Sequence, residues 1–287
     1  FLRGAALGDA DKARFAAVRQ ELASLGATFS EHVLDATDAY TLQIDDEARL
    51  AGLPADVVAN ARAASEARGH AGWTLTLQMP CYLPVQTYAE DRDLRETLYR
   101  AYGLRASEAG PAELDNGPLI ARILALRAEQ AALLGFANYA ELSLATKMAD
   151  SPDEVLGFLR DLAARARPHA ERDRAELEAF ARDHLGLDTL QSWDIPFAAD
   201  RLRQARYDYS AQEVKRYFTE DRVLAGLFDV IHALYGLRVE ADTAPLWAFF
   251  DPIHPSSTIH AAIADLEDAA GKSIVVLPWN WKPAVYA

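Results

Sequence analysis

The sequence predicts a mostly α-helical, multi-helix fold with one short strand pair near residues 73–88. Apolar residues recur at three- and four-residue steps along most of the chain, and capping and turn residues stand where those stripes begin and end. One stretch departs from this pattern, with apolar and polar residues alternating.

The first stripe, Phe15, Val18, Leu22, Leu25, Phe29, Val33, Ala36 and Tyr40, predicts one long helix between Asp9 and Leu42, with its apolar face turned to a partner helix. After the break at Gly52-Leu53-Pro54 a second helix is expected from about Pro54 to Arg68, since proline suits a first helical turn. A third is expected over about 90–102, with Leu94, Leu98 and Tyr102 on one face. Asp115-Asn116-Gly117-Pro118 reads as a turn, followed by a helix carrying Leu119, Ile120, Ile123, Leu126 and Leu133. Ser151-Pro152-Asp153-Glu154 joins an N-cap hydroxyl, a first-turn proline and an N3 carboxylate, so a helix starts there on the stripe Val155, Phe158, Leu159 and Leu162. Pro168 lacks an amide donor and is expected to kink or break that run. Ser210 to Glu213 repeats the cap, and Val223, Leu224, Leu227, Ile231 and Leu234 line a helix ending near Gly236.

Between these helices Trp73, Leu75 and Leu77 alternate with Thr74, Thr76 and Gln78, and Pro80 then interrupts before Tyr82-Leu83 and Val85 to Tyr88. This reads as two strands that must lie against helices, because an isolated pair is not stable in water. Such a hairpin either plugs one side of the helical core or offers an edge on which a peptide backbone could pair.

Of the chain's 287 residues, 43 are acidic and 29 basic, a formal charge of −14, and 51% are apolar. A sizeable core can form, and the charge repels nucleic-acid phosphates and anionic lipid, so neither nucleic acid nor membrane is an expected partner. The single cysteine, Cys81, cannot form an internal disulfide and fits a reducing compartment. It has no histidine beside it in sequence and reads as a buried thiol. Starting at Phe1 inside running sequence, the chain reads as a piece of a larger polypeptide.

The stretches HVLDAT at 32–37, AGLP at 51–54, GWTLTLQMPCYLPVQTY at 72–88, LRETLYRAYGLRAS at 94–107, WDIPF at 193–197 and VLAGLFDVIHALYGL at 223–237 are collinear with one family. So is the long block from Asp115 to Pro168, which contains LGFANYAELSLATKMA. Through them the chain resembles the oligopeptidase A branch of the thimet-oligopeptidase family of zinc metallopeptidases, over about residues 1–245. The resemblance implies a helical lobe of a two-lobed, channel-forming enzyme that hydrolyses short peptides in the cytoplasm at one zinc ion. That ion would be held by two histidines of an H-E-x-x-H helix and a further glutamate, the motif's own Glu activating water.

No H-E-x-x-H occurs in the chain: the histidines are His32, His70, His169, His184, His232, His254 and His260, and no two are four apart. No catalytic or metal-binding residue is therefore assigned, and substrate-binding residues are unknown. Residues 1–245 read as the N-terminal, channel-wall portion, expected to bind no zinc alone and to be inactive without a C-terminal lobe. The alternative is a non-catalytic, helical peptide- or protein-binding module derived from the same family.

Residues 246–287 read as a divergent tail. His254, His260 and Asp251 there lack the spacing of a ligand set, and the expected elements are a helix from Ser257 to Asp268 and a strand over Ser273–Leu277. Pro278-Trp279-Asn280-Trp281-Lys282-Pro283 reads as a packed turn before it reads as an aromatic peptide-binding patch. The carboxylates Glu171, Asp173, Glu176 and Glu178, interleaved with Arg172 and Arg174, read as a solvated helix face.

Overall fold

In a computed structural model, residue 2 and residues 4–242, 265–267 and 273–278 are described. They fall into two compact units, Phe1–Tyr209 and Ser210–Ala287.

The first unit opens with α1 (Asp9–Asp38) and then β1 (Thr41–Ile44). The long-helix expectation holds up to Asp38; the chain then turns at Ala39, and Tyr40 belongs to the connection rather than to the stripe. Tyr40 and Leu42 instead pack against the core that Ile44 enters. After a 3-10 turn, α2 (Ala55–Glu66) follows Pro54 and β2 (Trp73–Thr76) returns antiparallel to β1, pairing Ile44 with Trp73 and Thr41 with Thr76. Gly72 sets the entry to β2 at φ +82°, where an added Cβ would lie 2.4 Å from the Ile44 carbonyl oxygen.

The strand pair is therefore present, but Trp73–Thr76 pairs with β1, and residues 79–88 form the helix α3 (Met79–Tyr88) rather than a second strand. Pro80 stands in the first turn, where no amide is needed, and Tyr82, Val85, Gln86 and Ala89 fall at helical spacing into the core. Burial along that face outweighs the β propensity of the individual residues. The core itself joins Ile44, Leu75, Leu77, Val85, Leu94 and Leu98, the last two from α4 (Arg92–Gly103). Asp91 caps α4 by accepting from the Leu94 amide at 3.0 Å.

Asn116 precedes α5 (Gly117–Leu133), which packs along α1. Two-pronged ion pairs lace them together, Arg14 with Glu129 and Arg122 with Glu21. The short α6 (Tyr139–Leu144) leads to α7 (Pro152–Leu185), capped by Ser151 Oγ, which accepts from the Glu154 amide at 3.1 Å. Glu154 in turn accepts from the Asp150 amide at 2.7 Å.

The expected interruption at Pro168 does not end α7, which runs on to Leu185 and is 34 residues long in all. The carbonyl that Pro168 leaves unmatched lies in an exposed stretch, where water can take the place of the missing amide. Residues 192–194 form a 3-10 turn into α8 (Ile195–Tyr207), which packs on α3 and α7.

The second unit contains α9 (Ala211–Lys215), α10 (Glu220–Tyr235), β3 (Arg238–Asp242), β4 (Asp265–Glu267) and β5 (Ser273–Pro278). Its strands run in the order β3-β5-β4, with β5 parallel to β3 and antiparallel to β4. The strand expected over Ser273–Leu277 is present, and Gly236 ends α10 in the left-handed conformation. Residues 265–267, expected as the end of a helix, are extended instead, with Leu266 opposite Ile274. Pairing with the β-branched Ile274-Val275 edge prevails over the helix preference of the surrounding alanines. The rest of that expected helix, from Ser257, lies outside the described residues.

Candidate functional site

Several of the stretches that carry the resemblance meet in the first unit around one buried side chain. Arg95 of α4 is 1% exposed. Its Nη1 donates to the Ala89 carbonyl at 2.7 Å and the Glu90 carbonyl at 3.2 Å, and its Nε donates to the Trp193 carbonyl at 3.3 Å. Nη2 donates to Asp194 Oδ1 at 2.9 Å, and the guanidinium lies over the Phe197 ring at 4.2 Å. On the other side of the backbone, Gln86 Nε2 donates to the Arg95 carbonyl at 2.8 Å.

Asp194 is fully buried and is shared between two arginines. Arg92 Nη2 donates to its Oδ2 at 2.7 Å, and the Gln191 amide donates to the same oxygen at 3.0 Å. Burial alone would raise the Asp194 carboxyl, but the hydrogen bonds from Arg92, Gln191 and Arg95 outweigh it and hold the group below the usual carboxylate range. A carboxylate so held is a poor proton acceptor. The node can lock α3, α4, the 3-10 turn and α8 together; it is not built for acid/base chemistry.

A second polar junction ties HVLDAT to the turn before α5. His32 Nδ1 lies 2.9 Å from Asn116 Oδ1, and Asn116 Nδ2 donates to the Phe29 carbonyl at 3.1 Å. Asn116 is 3% exposed, so the junction is again a fastening. Cys81, expected as a buried thiol, is partly buried: burial pushes its thiol up, and Sγ accepts from the Thr76 amide at 3.4 Å.

The strand edge weighed for peptide pairing resolves into β1, whose residues Thr41 and Gln43 are exposed while Ile44 is buried. The α7 carboxylates stand on a largely exposed helix, Glu178 paired with Arg174 at 2.7 Å and Glu176 with Arg206 of α8. They are not gathered into a site.

Among the described residues no group of three or more His, Cys, Asp or Glu side chains is placed to hold a metal ion. His184 stacks on Phe180 with ring centroids 4.7 Å apart, and His169 Nδ1 lies 2.6 Å from Arg172 Nη2. Asp251, His254, His260 and the stretch from Trp279 to Pro283 lie outside the described residues.

The model of Peptidase family M3 matches residues 85–273, from within α3 to the first residue of β5. This chain belongs to peptidase family M3. The match takes in Arg92, Arg95 and Asp194 and ends inside the segment read from sequence as a tail. Oligopeptidase A of Salmonella typhimurium is 46% identical to the M3 chain over 244 residues, 84% of this chain and 36% of the relative. Oligopeptidase A of Haemophilus influenzae is 41% identical over 268 residues, covering 91% of this chain and 39% of the relative. A probable cytosolic oligopeptidase A of Arabidopsis thaliana is 41% identical over 259 residues, 86% of this chain and 36% of the relative. The chain thus spans a little over a third of the length of these curated relatives. Among the described residues, no helix is long and apolar enough to cross a membrane.

Sequence reasoning missed the Arg95–Asp194 node. Its one local signal was an arginine next to Leu94 on the buried side of a helix otherwise lined by Leu94 and Leu98. The partner lies 99 residues away, beyond the reach of any local pattern.

Proposed function

We propose that this chain is the N-terminal, channel-wall portion of a zinc-dependent, cytoplasmic oligopeptidase that hydrolyses short peptides, and that the chain alone is catalytically incomplete. The observation that carries the reading is the 46% identity to oligopeptidase A over 84% of the chain, joined to a sequence without an H-E-x-x-H pair. The first supports lineage and substrate class, and the second supports the reading that zinc chemistry belongs to residues other than these. Cytoplasmic action is supported by the word cytosolic in the name of the Arabidopsis relative.

The described residues of this chain would contribute form rather than chemistry. The Arg95–Asp194 node and the core around Leu75 and Leu98 give a rigid wall, and rigidity is what a channel that admits only short peptides requires. The acidic balance of −14 favours cationic and neutral peptides over acidic ones.

The test uses the purified chain, added zinc and an internally quenched oligopeptide. The chain alone is expected to give no chelator-sensitive cleavage. When it is co-expressed with the region of Salmonella oligopeptidase A that lies outside the match, chelator-sensitive cleavage is expected. Cleavage by the chain alone would refute incompleteness, and a folded complex that cleaves nothing would refute the oligopeptidase reading.

A further inference from the structure

The N-terminal two-thirds of α7 touches little. Ser151 and Glu154 fasten its start, and at the far end Ala181 is buried and Arg206 of α8 pairs with Glu176. Every residue from 156 to 176 is exposed, a run of about 30 Å of helix at the usual rise per residue. Yet this run is not polar all round. Phe158 is 67% exposed, Leu159 50% and Leu162 51%, and with Val155 they fall at i, i+3, i+4 and i+7 on one face. Met148, in the loop before α7, is fully exposed as well.

A lone helix gains little stability in water from propensity, and a contiguous apolar stripe left in solvent marks a contact surface. What covers it is indicated by two further facts. A second copy is disfavoured, because two chains each carrying −14 repel. The curated relatives, by contrast, have well over half their length outside the match with this chain. Polypeptide joined in the same molecule is present at high effective concentration, so it can cover such a face permanently. A free peptide would leave it bare most of the time.

We infer that the Phe158–Leu162 face of α7 is the seat on which the remaining region of an M3 peptidase packs. The inference rests on the proposed oligopeptidase reading and adds to it the face through which the catalytic region joins this chain.

The experiment reads amide hydrogen exchange at residues 156–176 in the chain alone, in the chain co-purified with the unmatched region of Salmonella oligopeptidase A, and in a single-chain fusion of the two. Protection of these amides is expected to rise at least about a hundredfold in the joined forms, as an exposed helix becomes a packed one. Phe158→Glu with Leu162→Glu, both at exposed side chains and expected to leave the isolated chain folded by circular dichroism, should cut that protection about a hundredfold. Arg160→Ala, on the opposite face, should leave it unchanged. Unchanged protection of α7 in both joined formats overturns the inference. A concentration-dependent dimer of the chain alone that Leu162→Glu abolishes overturns it equally, since the face would then join two copies. Peptide cleavage is scored separately: protection without cleavage refutes the oligopeptidase reading and leaves the face standing, whereas cleavage without protection refutes the face alone.

Discussion

Arg95 and Asp194 show how one pair can decide whether a core is sound. Neither charge reaches water, and each is satisfied only by the other and by carbonyls, an amide or Arg92 fixed nearby. Asp194→Asn would leave Arg95 buried without its counter-charge, a loss of about 3–5 kcal/mol, to be read as a lower urea midpoint. The same pair sets a pH dependence. Because the carboxyl titrates lower in the folded than in the unfolded chain, its stabilisation is full above the ordinary carboxylate range, near pH 4, and fades as pH falls through the native value. Acid unfolding monitored by circular dichroism should show this steepness below about pH 4 in the parent and lose part of it in Asp194→Asn. Residue-scale features that depend on neighbours in sequence were legible, as with the Ser151 cap. The node was not, because no local pattern announces a partner 99 residues on.

At the scale of elements, the lesson is that alternation and helical spacing can coexist in one stretch. Tyr82, Val85 and Thr87 look like a strand only until Gln86 and Ala89 are counted, after which the buried set follows a helix. The helices that carry long stripes, such as α5 and α10, were readable because many residues voted for one period. The β1–β2 pair tests the local geometry: Gly72→Ala places a methyl group against the Ile44 carbonyl in a backbone region that alanine avoids. It should cost more than about 1 kcal/mol and lower the melting temperature by several degrees. In α7 the reverse holds. Pro168→Ala restores an amide donor in mid-helix and should slow exchange of the neighbouring α7 amides about tenfold or more, without moving the urea midpoint of the core.

On the scale of the whole molecule, the core and the node both belong to Phe1–Tyr209. A chain ending at Tyr209 should therefore keep the urea midpoint of the parent's main transition within experimental error, with Asp194→Asn lowering it by the same amount in both. The family lineage was legible in blocks spread along the sequence, whereas the partner of β2 and the continuity of α7 depended on tertiary packing and on solvent. The distance between Arg95 and Asp194 also has a consequence in time. During synthesis the 99 residues from Glu96 to Asp194 take about 5–20 s to emerge, and throughout that interval a growing chain holds a cation with no anion to receive it. The packing around Arg95 cannot close on the ribosome ahead of Asp194, so its completion is deferred until the WDIPF turn has left the exit tunnel.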